Sequence, residues 1–429
     1  MLQGRHAGDL MLEYGGGFAL NIKICDAIMG SGKTSAAIRY MNESDGHFVF
    51  ITPYLNECSR IVDSCPIKKF KSPKDRPRSK LDSLHFLLRH GYNISSTHAL
   101  FASYTDETIE LIRKGHYTLV MDEVFEIVKE INISQGDVRE LLQSGYIEVD
   151  SETCRVRWIK NDYAGTTFHD LMLRAQAGTL LYYNDTFLFW MFPPEVFSAF
   201  DEVIVLTYLF DAQLQKYYFD INGFDYRTIG VERDADGAFR FTEDATAGAF
   251  LPGLKDRVHI LRGEKYNAVG NDWYAFSSSW AARSFKNPKV AGAVRNQVYN
   301  VFRRDFRSRS QDAMWTCFKA QKSTLIPNGY ARSFVPCSCR ATNEYRNRKN
   351  LAYCVNIFFN PFLKKYFQEH GCKVDEDRYA LSEMIQWIWR SAIRDGESIN
   401  LYVPSRRMRG LLDAWLAQVS RDSNHKKKD

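Results

Sequence analysis

The chain's 429 residues, 45% of them hydrophobic and 14% aromatic, suffice to fill the cores of two or three domains. No stretch approaches the roughly 18 uninterrupted apolar residues of a membrane span, and Met1–Asp9 lacks the apolar run of a secretion signal, so a cytoplasmic protein is expected. The net charge of +6 hides an asymmetry: residues 251–429 hold 32 Lys and Arg against 16 Asp and Glu, the balance of a lobe that tracks a phosphate backbone or attracts an acidic neighbour.

In chain order, Ile22–Cys25 reads as a strand and Ser35–Met41 as a helix. Between them stands Ala27-Ile28-Met29-Gly30-Ser31-Gly32-Lys33-Thr34, which has the spacing of a P-loop. Gly30 and Gly32 let the backbone curl so that N–H groups converge on phosphates at the positive end of the helix. Lys33 has the reach for the β- and γ-phosphates, and Thr34 is placed to ligate Mg2+. Ala27 stands where the first glycine of such loops is usual. The expected ligands are therefore ATP and Mg2+, held by Ala27, Met29, Gly30, Ser31, Gly32, Lys33 and Thr34.

Further strands are predicted at His47–Thr52, Asn93–Thr97 and Tyr117–Met121, and the alternation with helical runs is that of a parallel α/β sheet. The third strand delivers Asp122 and Glu123 at its carboxyl end, where such sheets bind ligands. Asp122 suits a Mg2+ ligand and Glu123 a group that polarises water, a pair that argues for hydrolysis. The basic run Lys68–Lys80, broken by Pro73 and Pro77, reads as a loop.

Glu130–Asp201 is too long for one crossover. Its candidate hairpin, Tyr146–Val149 with Arg155–Trp158, and its aromatic run Phe187–Phe192 mark an insertion at about residues 130–200. Val203–Thr207 returns to the first sheet, and the polar stretch Asp234–Gly253 reads as a linker. Domain boundaries follow at 1–240 and 250–420, with a polar, disordered tail at 421–429. Trp273–Phe276, Met314–Phe318, Leu351–Ile357 and Ile399–Val403 are the strand candidates of the second domain, and Arg303–Arg309 reads as helix. Nine irregularly spaced cysteines fit a reduced compartment, and the intervals among Cys337, Cys339, Cys354 and Cys372 are unlike those of zinc ligands. Gln386, Arg390 and Arg394 recur every four residues, so a continuous helix there sets all three on one face.

Together these motifs resemble the superfamily 2 helicases, the DExx-box group, and most closely the compact versions encoded by phages and prophages. Ile51-Thr52-Pro53 and Ser96-Thr97-His98 look like that family's first two nucleic-acid motifs. Leu206-Thr207-Tyr208 resembles the motif that couples nucleotide state to grip, Met314-Trp315-Thr316 the fourth, and Arg340-Ala341-Thr342-Asn343 the fifth. The Gln386–Arg394 segment resembles the motif that closes over the γ-phosphate, with Gln386 near the attacking water and Arg390 and Arg394 as arginine fingers. Trp389 replaces the family's usual glycine there, and the step between the arginines is four rather than three.

The resemblance implies two RecA-like parallel-sheet P-loop domains, with an insertion in the first. It also implies an ATP-driven helicase or translocase acting on nucleic acid, on DNA before RNA, in replication, recombination or repair of a phage or mobile element. Location would be the host cytoplasm, with a replication or loading protein as a further partner class. Two alternatives stay open: a DNA-packaging terminase-type ATPase, and a nucleic-acid-binding protein that holds ATP without hydrolysing it.

Overall fold

The computed structural model describes residues 20–77, 79–160, 162–249, 251–338 and 344–425. The first lobe begins with β1 (Asn21–Asp26), β2 (His47–Thr52), β3 (Ile94–Thr97) and β4 (Tyr117–Asp122). Five short strands follow: β5 (Val128–Glu130), β6 (Ile147–Val149), β7 (Val156–Trp158), β8 (Leu180–Tyr183) and β9 (Phe187–Met191). The chain then returns through β10 (Glu202–Thr207), β11 (Tyr226–Arg233) and β12 (Phe239–Thr242). The main sheet runs β12-β11-β1-β10-β4-β2-β3, parallel throughout except for the antiparallel edge strand β12.

This sheet is buried on both faces because successive side chains of each strand point to opposite sides. In β2, Val49 and Ile51 enter one core with Ile24, Leu119 and Val205, whereas Phe48 and Phe50 enter the other with Cys25, Val120 and Ile204. The second lobe repeats the scheme. Its strands β13 (Val258–Ile260), β14 (Ala313–Thr316), β15 (Asn350–Tyr353) and β16 (Ile399–Tyr402) pair in the order β13-β16-β15-β14, all parallel. Leu351, Tyr353 and Leu401 fill one face, and Trp315, Ala352 and Tyr402 the other. The molecule is thus an α/β protein of two Rossmann-like, RecA-like lobes.

Between β4 and β10, β6 and β7 form the antiparallel hairpin, and β5-β9-β8 form a second small sheet. Leu180, Tyr182 and Leu188 face a separate core with Val138, Leu141 and Trp158, while Leu181, Tyr183 and Phe189 pack into the first lobe. That sheet also meets the helix Pro361–Glu369. Phe187 and Phe362 stack with centroids 5.1 Å apart at 8°, and the Tyr183 hydroxyl donates to Glu369. Pro361 sits in the first helical turn behind Asn360, whose side chain accepts from the Phe362 and Leu363 N–H groups. Phe359, Leu363, Tyr366 and Phe367 then bury into the first lobe's core, although they follow β15 of the second.

Four expectations are corrected. Trp273–Phe276 forms turns, because the Asp272 carboxylate accepts the Tyr274 N–H at 2.7 Å and Ser277 caps the next helix, Ser278–Ser284. The stretch expected as a linker carries β12, whose Phe239 and Phe241 pack on the sheet. Only the first half of Arg303–Arg309 is helical, ending before a left-handed Arg307 (φ 48°). The helix Arg406–His425 runs into the expected tail, of which residues 426–429 lie outside the described residues.

Candidate active site

Register places the chemistry at one edge of the first sheet. Asp26 pairs with Thr207, Leu206 with Asp122, and Thr52 with Thr97, so the carboxyl ends of β1, β10, β4, β2 and β3 lie side by side. The loop Ala27–Gly32 leaves β1 there. Its Ala27 N–H donates to the Thr207 carbonyl and its Ile28 N–H to the Gly248 carbonyl, both at 3.0 Å. Gly30 and Gly32 have φ of 84° and 95°, a region costly to a side chain. A Cβ on Gly32 would also stand 2.3 Å from the Phe239 ring. The helix Lys33–Glu43 follows, its first N–H groups open toward the site.

The charged groups converge at the mouth of this loop. Lys33 Nζ donates to the carbonyls of Ala27 and, at 3.0 Å, Ile28, and burial lowers its pKa. The Thr34 hydroxyl lies 3.4 Å from Asp122 Oδ1. Burial, then the adjacent Glu123 charge, push Asp122 up to about 7, against the opposing pull of Lys33. Glu123 adopts a left-handed backbone, φ 65°, fixed by its N–H bond to the Leu206 carbonyl at 3.0 Å. Its buried Oε2 has no protein partner, and neither has the buried Ser31 hydroxyl. Two orphaned polar atoms beside a Lys, a Thr–Asp pair and a helix N-terminus fit a Mg2+-bound nucleoside polyphosphate.

The other predicted residues are dispersed around this centre. Thr52 is fully buried at the end of β2 with Pro53 following, and the His98 ring lies 5.7 Å from that of Phe125, two residues beyond Glu123. Thr207 bonds to Gln213 at 3.0 Å. The Tyr208 hydroxyl accepts from the Trp415 indole of the second lobe at 3.0 Å. Arg340, Thr342 and Asn343 lie outside the described residues.

The arginine face is corrected. The helix Glu376–Ile388 stops before Arg390, because the Ser391 hydroxyl takes the Ile388 carbonyl at 2.6 Å and Trp389 turns into the joint between the lobes. Gln386 instead bonds to Ser382 at 3.3 Å on its own helix, and Arg390 is buried, 5% exposed. Arg394 is exposed, and its carbonyl stands 3.8 Å from the Cβ position of Gly30, against the loop Ala27–Gly32. The Arg394 backbone thus lies beside that loop.

Sequence reasoning missed what binds the loop from behind. Ile28 sits in the second lobe's core, and the Trp389 indole donates to the Met29 carbonyl at 3.2 Å. Trp389 also meets Trp415 edge-on, centroids 5.9 Å apart, which completes a chain from Met29 to Tyr208. Asp26 accepts the Leu209 and Phe210 N–H groups at 2.7 and 3.0 Å and so fixes the loop after β10. The one available signal was Trp389 at a position where glycine is usual.

Over 92% of its length the chain superposes on 95% of the apo structure of XPD, with a TM-score of 0.51 at 12% identity. The structure of S. tokodaii Xpd4 matches 92% of the chain over 94% of its own, with a TM-score of 0.46 at 11% identity. The first likeness defines the class, a two-lobed protein of the XPD fold. Residues 253–416 match the YonV C-terminal Rossmann-like domain and residues 128–190 the YonV middle domain. The SPbeta prophage-derived uncharacterized protein YonV of Bacillus subtilis (strain 168) is 42% identical over 409 residues, 92% of this chain and 98% of that protein. The chain belongs to the YonV family.

Two expectations follow from this geometry. Asp122 holds a proton in the folded chain that the unfolded chain releases near its ordinary 3.8, so its contribution to stability falls as pH rises from there to about 7. A metal ion held by Asp122 would have to displace that proton. Stabilisation by Mg2+ and nucleotide is therefore expected to grow between about pH 6 and about pH 8 in thermal melts, and a pH-independent shift would remove Asp122 from the metal site. In denaturant unfolding, Trp389→Phe should cost about 0.5–1.5 kcal/mol for the lost Met29 bond and Trp389→Ala about 3–5 kcal/mol. A Trp389→Phe variant as stable as the wild-type chain would show that the indole N–H contributes nothing.

Proposed function

We propose that the chain is an ATP-dependent nucleic-acid helicase or translocase, with its active site shared by the two lobes. The observation that carries this reading is Glu123, a half-buried residue whose carboxylate has one buried, unpartnered oxygen, held in a strained conformation beside the Lys33, Thr34 and Asp122 triplet. A group that only held nucleotide would need no such acid. The XPD-type fold, the prophage relative and the basic second half support the same reading.

ATP with Mg2+ supplies a phosphoanhydride whose hydrolysis drives the cycle. Lys33 and the N–H groups at the start of the helix Lys33–Glu43 bind the phosphates, and Thr34 and Asp122 hold the metal. Glu123 orients water and takes up its proton. Arg394 meets developing charge from the second lobe, so turnover depends on lobe closure. Tyr208, joined to Trp415, is placed to pass that closure to the strand ends that carry Thr52 and Thr97, the proposed nucleic-acid contacts with Pro53 and His98. DNA is the favoured substrate, and replication, recombination or repair in a phage or mobile element the favoured setting. Unwinding and translocation without strand separation are distinguished by a strand-displacement assay.

Lys33→Ala should abolish ATP hydrolysis, since Lys33 is the cation bonded inside the loop, and Glu123→Gln should retain nucleotide binding while turnover is lost. Substantial turnover in either variant would sink the catalytic assignment. Arg394→Ala should lower turnover by about 10³-fold at saturating nucleic acid without weakening nucleic-acid binding. Weakened binding with normal saturated turnover would instead make Arg394 a backbone contact.

A further inference from the structure

The second lobe holds a rigid group of aromatic rings that its core does not use. Trp273 is 51% exposed and Tyr274 59%. Their turn is pinned to the loop that follows β15. The Asn356 side chain donates to the carbonyls of Trp273 and Ala275 at 2.9 and 3.0 Å, and its N–H to that of Phe276 at 2.9 Å. From the same loop, the Phe358 ring lies 5.5 Å from Tyr274, tilted by 32°.

Beneath the rings lies the buried guanidinium of Arg407, 4.2 Å from the centre of Phe358 and 5.9 Å from that of Trp273. Asp377 at 2.6 Å, Asn356 Oδ1 at 2.9 Å and the Ile357 carbonyl at 2.6 Å hold it there. The aromatic group is therefore preorganised, and it pays little entropy to bind.

Its surroundings specify the ligand. The rings stand at the carboxyl ends of β14, β15 and β16, the side on which parallel sheets take ligands. Exposed Lys319 and Lys322 follow β14, and exposed Arg406 opens the helix Arg406–His425 after β16. Cations on both flanks suit a phosphate backbone, and the faces between them suit bases that are not already stacked in a duplex.

We propose that Trp273, Tyr274 and Phe358 form a stacking platform for the unpaired bases of single-stranded nucleic acid, with Arg406, Lys319 and Lys322 meeting its phosphates. The proposal rests on the nucleic-acid motor reading above and assigns its single-strand contact in the second lobe.

The test is fluorescence anisotropy of the full chain with labelled oligothymidylate and with blunt duplex, each at two salt concentrations. Trp273→Ala and Tyr274→Ala should each weaken oligothymidylate binding by about 5- to 100-fold, leave duplex binding unchanged and preserve the salt slope, because no charge is removed. Trp273→Phe should restore most of the affinity, and Arg406→Ala should lower the slope by about one unit. Melting curves separate misfolding from lost stacking, and Tyr274, the more exposed ring, is the variant least able to disturb the fold. Alanine variants that bind oligothymidylate like wild type, or that lose single strand and duplex equally, overturn the platform alone. A wild-type chain that binds no nucleic acid overturns the motor reading with it.

Discussion

The structure depends on the loop Ala27–Gly32, whose two sides belong to different lobes. Its concave side gathers Lys33, Thr34 and the acid pair of β4. Its convex side is buried: Ile28 lies in the second lobe's core, Met29 is bonded to Trp389, and Gly30 abuts the Arg394 backbone. A loop packed in this way cannot change shape around phosphate without moving the segment that carries Arg394. In the proposed motor, coupling between nucleotide and lobe position would then be a matter of packing, because a close-packed joint passes on small displacements.

Charge burial has the same origin. At the end of the apolar strand β4, Asp122 is drawn out of water beside the buried Glu123 Oε2, and its counter-charge, Lys33, is itself desolvated. Such a cluster costs stability when empty, and ligands that neutralise it return that cost. Away from the cleft the lobes are held differently. The helix Pro361–Glu369 buries its aromatic face in the first lobe and meets the inserted sheet, so the insertion also braces the joint.

What was legible in the sequence was what local chemistry fixes. Gly30 and Gly32 stand where the loop needs left-handed backbone and Lys33 and Thr34 open the helix that follows, and β2 and β4 are apolar runs because both faces of the sheet are covered. Contacts between distant segments were not legible. The helix ending at Ile388 is decided by Trp389 entering the lobe joint, which breaks the four-residue pattern of Gln386, Arg390 and Arg394. Trp273–Phe276 has strand-like residues, but Asn356, some eighty positions later, holds it as a turn. The edge strand β12 escaped notice because one of its sides faces solvent and its sequence is correspondingly polar.

The shared loop is the central claim, and amide hydrogen exchange tests it most directly. With a non-hydrolysable ATP analogue and Mg2+, residues 27–34 and residues 389–394 should gain protection together, since the loop cannot tighten around phosphate without engaging the segment behind it. Protection confined to residues 27–34 would contradict the account, because nucleotide would then be held by the first lobe alone.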